Sequence, residues 1–126
     1  MLETLIFREI RYNDNNEELL KESLEKLKSN PNDVRTLQTL ASTYHALKEN
    51  DKAIEIYKKL VKLQPKNHEI WAFLGYLYYE NEDFSKACEN LEKALDLCPI
   101  EPFVLFLLGN IYSRKGEITK AVDCYE

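Results

Sequence analysis

Apolar residues recur along the chain at helical spacing and fall into blocks separated by short polar turns. Leu37, Leu40, Ala41 and Tyr44 are spaced three, one and three apart, which is one stripe of a 3.6-residue helix. Ile54, Tyr57, Leu60, Val61 and Leu63 form a second stripe, with the polar turn Lys48-Glu49-Asn50-Asp51 between the two. Asp51, Ser85 and Thr119 suit the cap or first turn of second helices, where a side-chain oxygen accepts from orphan N–H groups. Pro31, Pro65 and Pro99 end helices, since proline lacks an N–H and turns the residue before it away from the helical region. Leu19, Leu20, Leu24 and Leu27 predict one more helix over residues 17–28. Leu2, Leu5, Ile6 and Ile10 fit a preceding helix, with an extended arm over residues 1–12 as the alternative.

The blocks repeat. The three prolines are 34 residues apart, and so are Ala53, Ala87 and Ala121. Leu40, Leu74 and Leu108, Tyr44, Tyr78 and Tyr112, and Lys52, Lys86 and Lys120 keep the same step. Small residues recur on first helices as Ala41, Gly75 and Gly109. Small side chains at a crossing let helix axes approach closely. Glycine inside a helix costs about 1 kcal/mol relative to alanine, so Gly75 and Gly109 need a compensating contact. Fixed-period self-similarity of this kind is the signature of a solenoid.

The middle copy reads Trp71-x-x-Leu74-Gly75-x-x-Tyr78, then Ala87-x-x-x-Leu91, then Pro99. This resembles the tetratricopeptide-repeat (TPR) family, with Leu91 where an aromatic is usual. The resemblance is strong over residues 34–126 and weak over 1–33. It implies an all-α fold, a superhelical solenoid of seven or eight helices in antiparallel pairs. The divisions are a degenerate N-terminal repeat or capping helices at 1–33, repeats at 34–67 and 68–101, and an incomplete repeat at 102–126. Glu126 falls partway along a second helix, and no capping helix follows it. The chain is then a fragment of a longer array, or this end is covered by a partner or a second copy. Leu108, Ile111 and Val122 are accordingly expected to be only partly covered, with self-association through that end.

The resemblance also places a concave groove on the exposed stripe of the first helices. Counting along the frame gives Arg35, Gln38, Ser42 and His45 from the first full repeat. The second gives Glu69, Ala72, Tyr76 and Tyr79, and the third Phe103, Phe106, Asn110 and Ser113. Aromatic clusters on one surface typically anchor a partner chain. Packing of the same rings against a neighbouring repeat is the alternative. Some TPR co-chaperones clamp an acidic C-terminal carboxylate with Lys, Asn and Arg. The corresponding positions here hold Gln38, Ser42, Phe73, Phe103 and Phe106, so an acidic tail would meet no matching charge.

Composition narrows the function classes. The formal net charge of −5 argues against nucleic acid and anionic membranes, which reward a basic patch. No run approaches the roughly 20 apolar residues that span a bilayer. The opening Met1-Leu2-Glu3 has an acid where a signal peptide wants a basic flank. A cytosolic or nuclear protein is expected. Cys88, Cys98 and Cys124 show no paired short spacing, and neither His45 nor His68 has a cysteine cluster beside it in sequence. No metal or cofactor site is expected. There is no phosphate loop and no Ser-His-Asp set, so an enzyme is not expected either. The reading is a protein–protein interaction module, a scaffold or adaptor segment that binds a partner peptide or helix in its groove. The alternative is a small dedicated chaperone holding an extended client segment.

Overall fold

The computed structural model describes the backbone of residues 2–125, and the side chains of residues 15–117, 120, 121, 123 and 124. It is all helical: α1 (Leu2–Ser29), α2 (Val34–Ala46), α3 (Asn50–Leu63), α4 (His68–Glu80), α5 (Phe84–Leu97), α6 (Pro102–Arg114) and α7 (Ile118–Tyr125). The chain divides into two compact units, Met1–Ile56 and Tyr57–Glu126, with the division inside α3.

In the N-terminal unit α1 packs on α2. The sequence pattern predicts a helix pair or an arm before residue 17. Instead, α1 runs unbroken for 28 residues. The stretch Asn13-Asp14-Asn15-Asn16 holds poor helix formers but neither glycine nor proline, so nothing stops the hydrogen-bond ladder there. The leucines that predict this helix do not form its buried face: Leu19, Leu20 and Leu27 are half-buried and Leu24 is exposed, while Asn16 and Ser23 are buried. Leu37, Leu40 and Ala41 of α2 form the core, as their spacing predicts.

The C-terminal unit is a series of antiparallel helices in which α4 packs on α5, α5 on α6 and α6 on α7. Ile70, Leu74, Leu77, Leu91, Val104 and Leu107 are buried in it. Gly75 marks the closest crossing. A Cβ there would stand 2.7 Å from Leu91 Cγ and 3.3 Å from the Ala87 carbonyl oxygen. Leu91 fills the space that the glycine leaves, which is the contact that offsets the intrinsic cost of glycine in a helix. Leu108 and Ile111 are fully buried, contrary to the expectation of partial cover. Helix α7 is only eight residues long, yet it packs on α6. Val122 lies outside the described side chains.

The columns spaced by 34 residues acquire physical roles. Lys52, Lys86 and Lys120 each hold an ammonium 5.6 Å from the ring centre of Tyr44, Tyr78 and Tyr112. The same lysines pair with Glu49, Asp83 and Glu117, at 3.2, 3.9 and 3.3 Å. Each exposed contact is worth no more than about 1 kcal/mol, so the set orients the turn rather than holding the fold. Asp51 and Ser85 fall in first turns. The cap of α5 is the preceding Asp83, whose Oδ1 accepts from Lys86 N at 3.3 Å. Thr119 lies outside the described side chains. Inside each turn one residue is left-handed: Lys48 (φ 63°), Glu82 (φ 61°) and Gly116 (φ 77°).

Candidate functional site

Five of the predicted groove residues are brought onto one surface by α4 and α6. Tyr76 and Phe103 meet with ring centres 5.4 Å apart at 58°. Asn110 Nδ2 donates to the Tyr79 hydroxyl at 3.4 Å. Phe103 is 40% exposed and Phe106 56% exposed, values high enough to leave ring surface for a partner. Tyr76 and Tyr79 are half-buried, so each ring packs on a neighbour and keeps part of its surface in water. Tyr79 also meets Phe84 edge-on at 5.8 Å, and Phe84 carries the Arg114 guanidinium at 5.2 Å. Burial raises the Tyr76 phenol above its ordinary value, and the Glu80 carboxylate reinforces the shift. The phenol is therefore a neutral donor at any physiological pH.

Glu69 is exposed at the start of α4, and Ser113 is exposed near the end of α6. Ala72 is corrected: it is buried and belongs to the core. Phe73, which the sequence places only among the clamp-equivalent positions, belongs with this surface. It is 49% exposed and stacks on Tyr57, with centres 6.0 Å apart and planes 26° off parallel. Its place three residues before Tyr76 on the same helix was a usable signal.

The remaining predicted residues lie in the N-terminal unit. Arg35, Gln38 and Ser42 of α2 line an open hollow of about 370 Å³ together with Asn16 and Leu19 of α1. His45 is half-buried and not among its lining residues. Thr39 and Thr43, also on the wall, turn their hydroxyls back to the carbonyls of Arg35 and Thr39, at 3.0 and 2.7 Å. Asn16 is different: its amide nitrogen is buried without a hydrogen-bond partner. Nothing in the apolar pattern signals this, because Asn16 precedes the expected start of its helix.

Of the cysteines, Cys88 is buried, and desolvation pushes its thiol up, as it does for Cys124. Neither is an activated nucleophile. Cys98 has a different setting. It lies with His68 and Glu101, and one ligand atom from each falls within 4.8 Å of the others. No cysteine is near His68 along the chain; the fold supplies one.

The geometry defines a helical-repeat protein with a mixed aromatic and polar surface. The family profile of the N-terminal TPR-repeat region of Psidin matches residues 1–91, and a general TPR profile matches residues 75–116. The chain belongs to the TPR family. Two solved structures of the protein MamA superpose with TM-scores of 0.82 and 0.83 at 29% and 28% identity. They cover 91% and 94% of this chain, and the chain spans 67% and 64% of theirs. The general transcriptional corepressor trfA of Dictyostelium discoideum is 32% identical over 57 residues, 45% of this chain but only 4% of that protein. Family and fold are those of a protein-interaction scaffold rather than a catalytic one. Among the described residues, no helix is long and apolar enough to cross a membrane.

Proposed function

We propose that this chain is an adaptor segment that seats a short partner segment with apolar or aromatic side chains on the α4–α6 surface. The observation that carries the reading is the grouping of Tyr76, Tyr79, Phe103 and Phe106 on first helices of successive repeats, with both phenylalanines substantially exposed. Rings held in place by their neighbours lose little side-chain entropy on binding, which favours them as anchors. The Asn110–Tyr79 pair supplies polar groups for the partner's backbone, since a buried unpaired amide costs about 1–3 kcal/mol. Glu69 stands where charge tunes encounter more than affinity. In the N-terminal unit, Arg35, Gln38 and Ser42 offer a second, polar contact area; His45 would act only at its margin. The short likeness to a transcriptional corepressor supports a nuclear or cytosolic setting.

The test is to select binding peptides from a random display library, then measure their affinity for the chain and for Tyr79→Ala and Phe106→Ala. A ring that anchors the partner should lose about 2 kcal/mol or more on truncation, with helical content unchanged. Equal affinity in both folded variants would refute the α4–α6 surface as the binding site.

A further inference from the structure

We infer that His68, Cys98 and Glu101 form a zinc site at the corner where three helix ends meet. His68 is the first residue of α4, Cys98 caps the end of α5, and Glu101 caps the start of α6. An imidazole nitrogen, the thiol sulfur and a carboxylate oxygen lie within 4.8 Å of one another. Bonds of about 2.0–2.3 Å to one tetrahedral zinc ion place its ligands about 3–4 Å apart. Rotation of half-buried side chains by about 1 Å closes that difference.

Two independent observations favour a ligand here. The first is that Nδ1 of His68 is buried without a hydrogen-bond partner, which is costly for an imidazole lone pair or N–H. The second comes from the repeat frame. One repeat earlier, the positions of Cys98 and Glu101 hold Gln64 and Asn67, and Asn67 Nδ2 donates to Gln64 Oε1 at 3.1 Å. That corner is closed by an amide pair. The corner at 98–101 has a thiol and a carboxylate instead, a poorer hydrogen-bonding pair but a better ligand pair. The histidine position is also distinct, because Val34 occupies it one repeat earlier. Metal ligands therefore replace the generic residues at all three positions of one corner.

The donor set selects the metal. Thiolate with imidazole favours zinc over magnesium or calcium, which take oxygen ligands. The starts of α4 and α6 carry partial positive charge, but a thiolate and a carboxylate bring two full negative charges against it. Binding converts the Cys98 thiol to a zinc thiolate and releases its proton to solvent. Three protein ligands leave a fourth position for water or a partner's side chain. Glu101 already accepts from Phe103 N at 3.2 Å, so the ion would fix the turn that sets Phe103 against Tyr76.

The test is a titration of the whole metal-free chain with zinc chloride by calorimetry, and with cobalt(II) by absorption. Expected results are one ion per chain, a thiolate-to-cobalt charge-transfer band, and a higher melting temperature with zinc. His68→Ala, Cys98→Ser and Glu101→Gln should each weaken zinc by roughly tenfold or more, the scale reached even by changes outside the ligand shell. Cys124→Ser should bind as the parent does. Circular dichroism of each metal-free variant confirms its fold. No charge-transfer band, a band retained in Cys98→Ser, or one ion shared between two chains would each overturn the assignment.

Discussion

The two units differ in which side chains they bury and which they expose. Among the described residues, the buried polar side chains are Asn16, Ser23, Thr36 and Thr43, all in the N-terminal unit. Among the same described residues, the exposed phenylalanines Phe73, Phe103 and Phe106 are all in the C-terminal unit. The frame makes the contrast specific. Ser23, Tyr57 and Leu91 occupy one column, and only Leu91 drives an aliphatic side chain into the space beside a glycine. Where the column holds a serine, α1 meets α2 with a partly polar face and an open hollow. A repeat column thus fixes where a residue points, while its chemistry decides whether the result is core or binding surface.

The sharpest way to break the contrast is to wedge the tight crossing. Gly75→Leu should destabilise by about 1–3 kcal/mol or more, read from denaturant midpoints, because its first carbon already collides with Leu91. Combining Gly75→Ala with Leu91→Ala in a double-mutant cycle should show strong coupling, since each change acts through the space the other vacates. Lys93→Ala, in contrast, removes only a 5.8 Å contact over Trp71 and should change stability by less than about 0.5 kcal/mol.

The opposite change belongs to the N-terminal unit. Asn16→Leu replaces a buried amide lacking a partner by an apolar side chain of similar size. It should raise stability by about 1–2 kcal/mol in thermal or denaturant unfolding. If the hollow of Arg35, Gln38 and Ser42 serves binding, the same variant should lose affinity for any ligand there. Unchanged or lower stability would mean that Asn16 is already satisfied and the contrast between the units is weaker than drawn.

A smaller effect tests what the units share. Lys48, Glu82 and Gly116 stand in one left-handed column, and only the glycine is relaxed there. Among the described residues, no atom beyond its chain neighbours lies within 4 Å of a Cβ built on Gly116, so Gly116→Ala isolates the backbone term. It should cost about 1 kcal/mol, and Lys48→Gly and Glu82→Gly should each gain a similar or smaller amount. Equal stability in all three would remove the column's role in turn formation.

The fold was legible because periodicity reports burial directly: Leu37, Leu40, Ala53, Leu74 and Ala87 are all buried where their columns predict. The positions of Tyr76, Tyr79, Phe103 and Phe106 came instead from the family resemblance, whose groove frame falls on them. What escaped was contact between residues far apart in sequence and residues whose type contradicts their place. Asn16 and Ser23 are polar but buried, and Leu24 is apolar but exposed. His68 lies 30 residues from Cys98, and only the antiparallel return of α5 brings them together. The cover that α7 gives α6 was underestimated: the frame places a second helix there, and eight residues of it already pack on α6.

The mildest prediction concerns pH and the joint between α5 and α6. The Tyr112 hydroxyl donates to Glu92 Oε1 at 2.9 Å, while Lys120 sits over the ring. Burial comes first in raising the phenol, and the Glu92 carboxylate, as acceptor and as a nearby negative charge, raises it further. The folded state therefore holds the phenol proton more tightly than the unfolded state, whose value is the ordinary 10.0. The sign follows from linkage: the contribution is fully present below pH 10 and is lost as pH rises toward the folded value. The ring is half-exposed, so solvent screens the pair and the effect is modest. Tyr112→Phe removes both donor and titration but keeps the ring under Lys120. The stability difference between parent and variant should be constant from pH 7 to about 9 and shrink above about 10, read from urea midpoints at each pH. Glu92→Gln should shrink it less steeply, because the amide can still accept the bond but carries no charge. A difference that grows with pH would mean that the phenolate, not the phenol, is the form held in the fold.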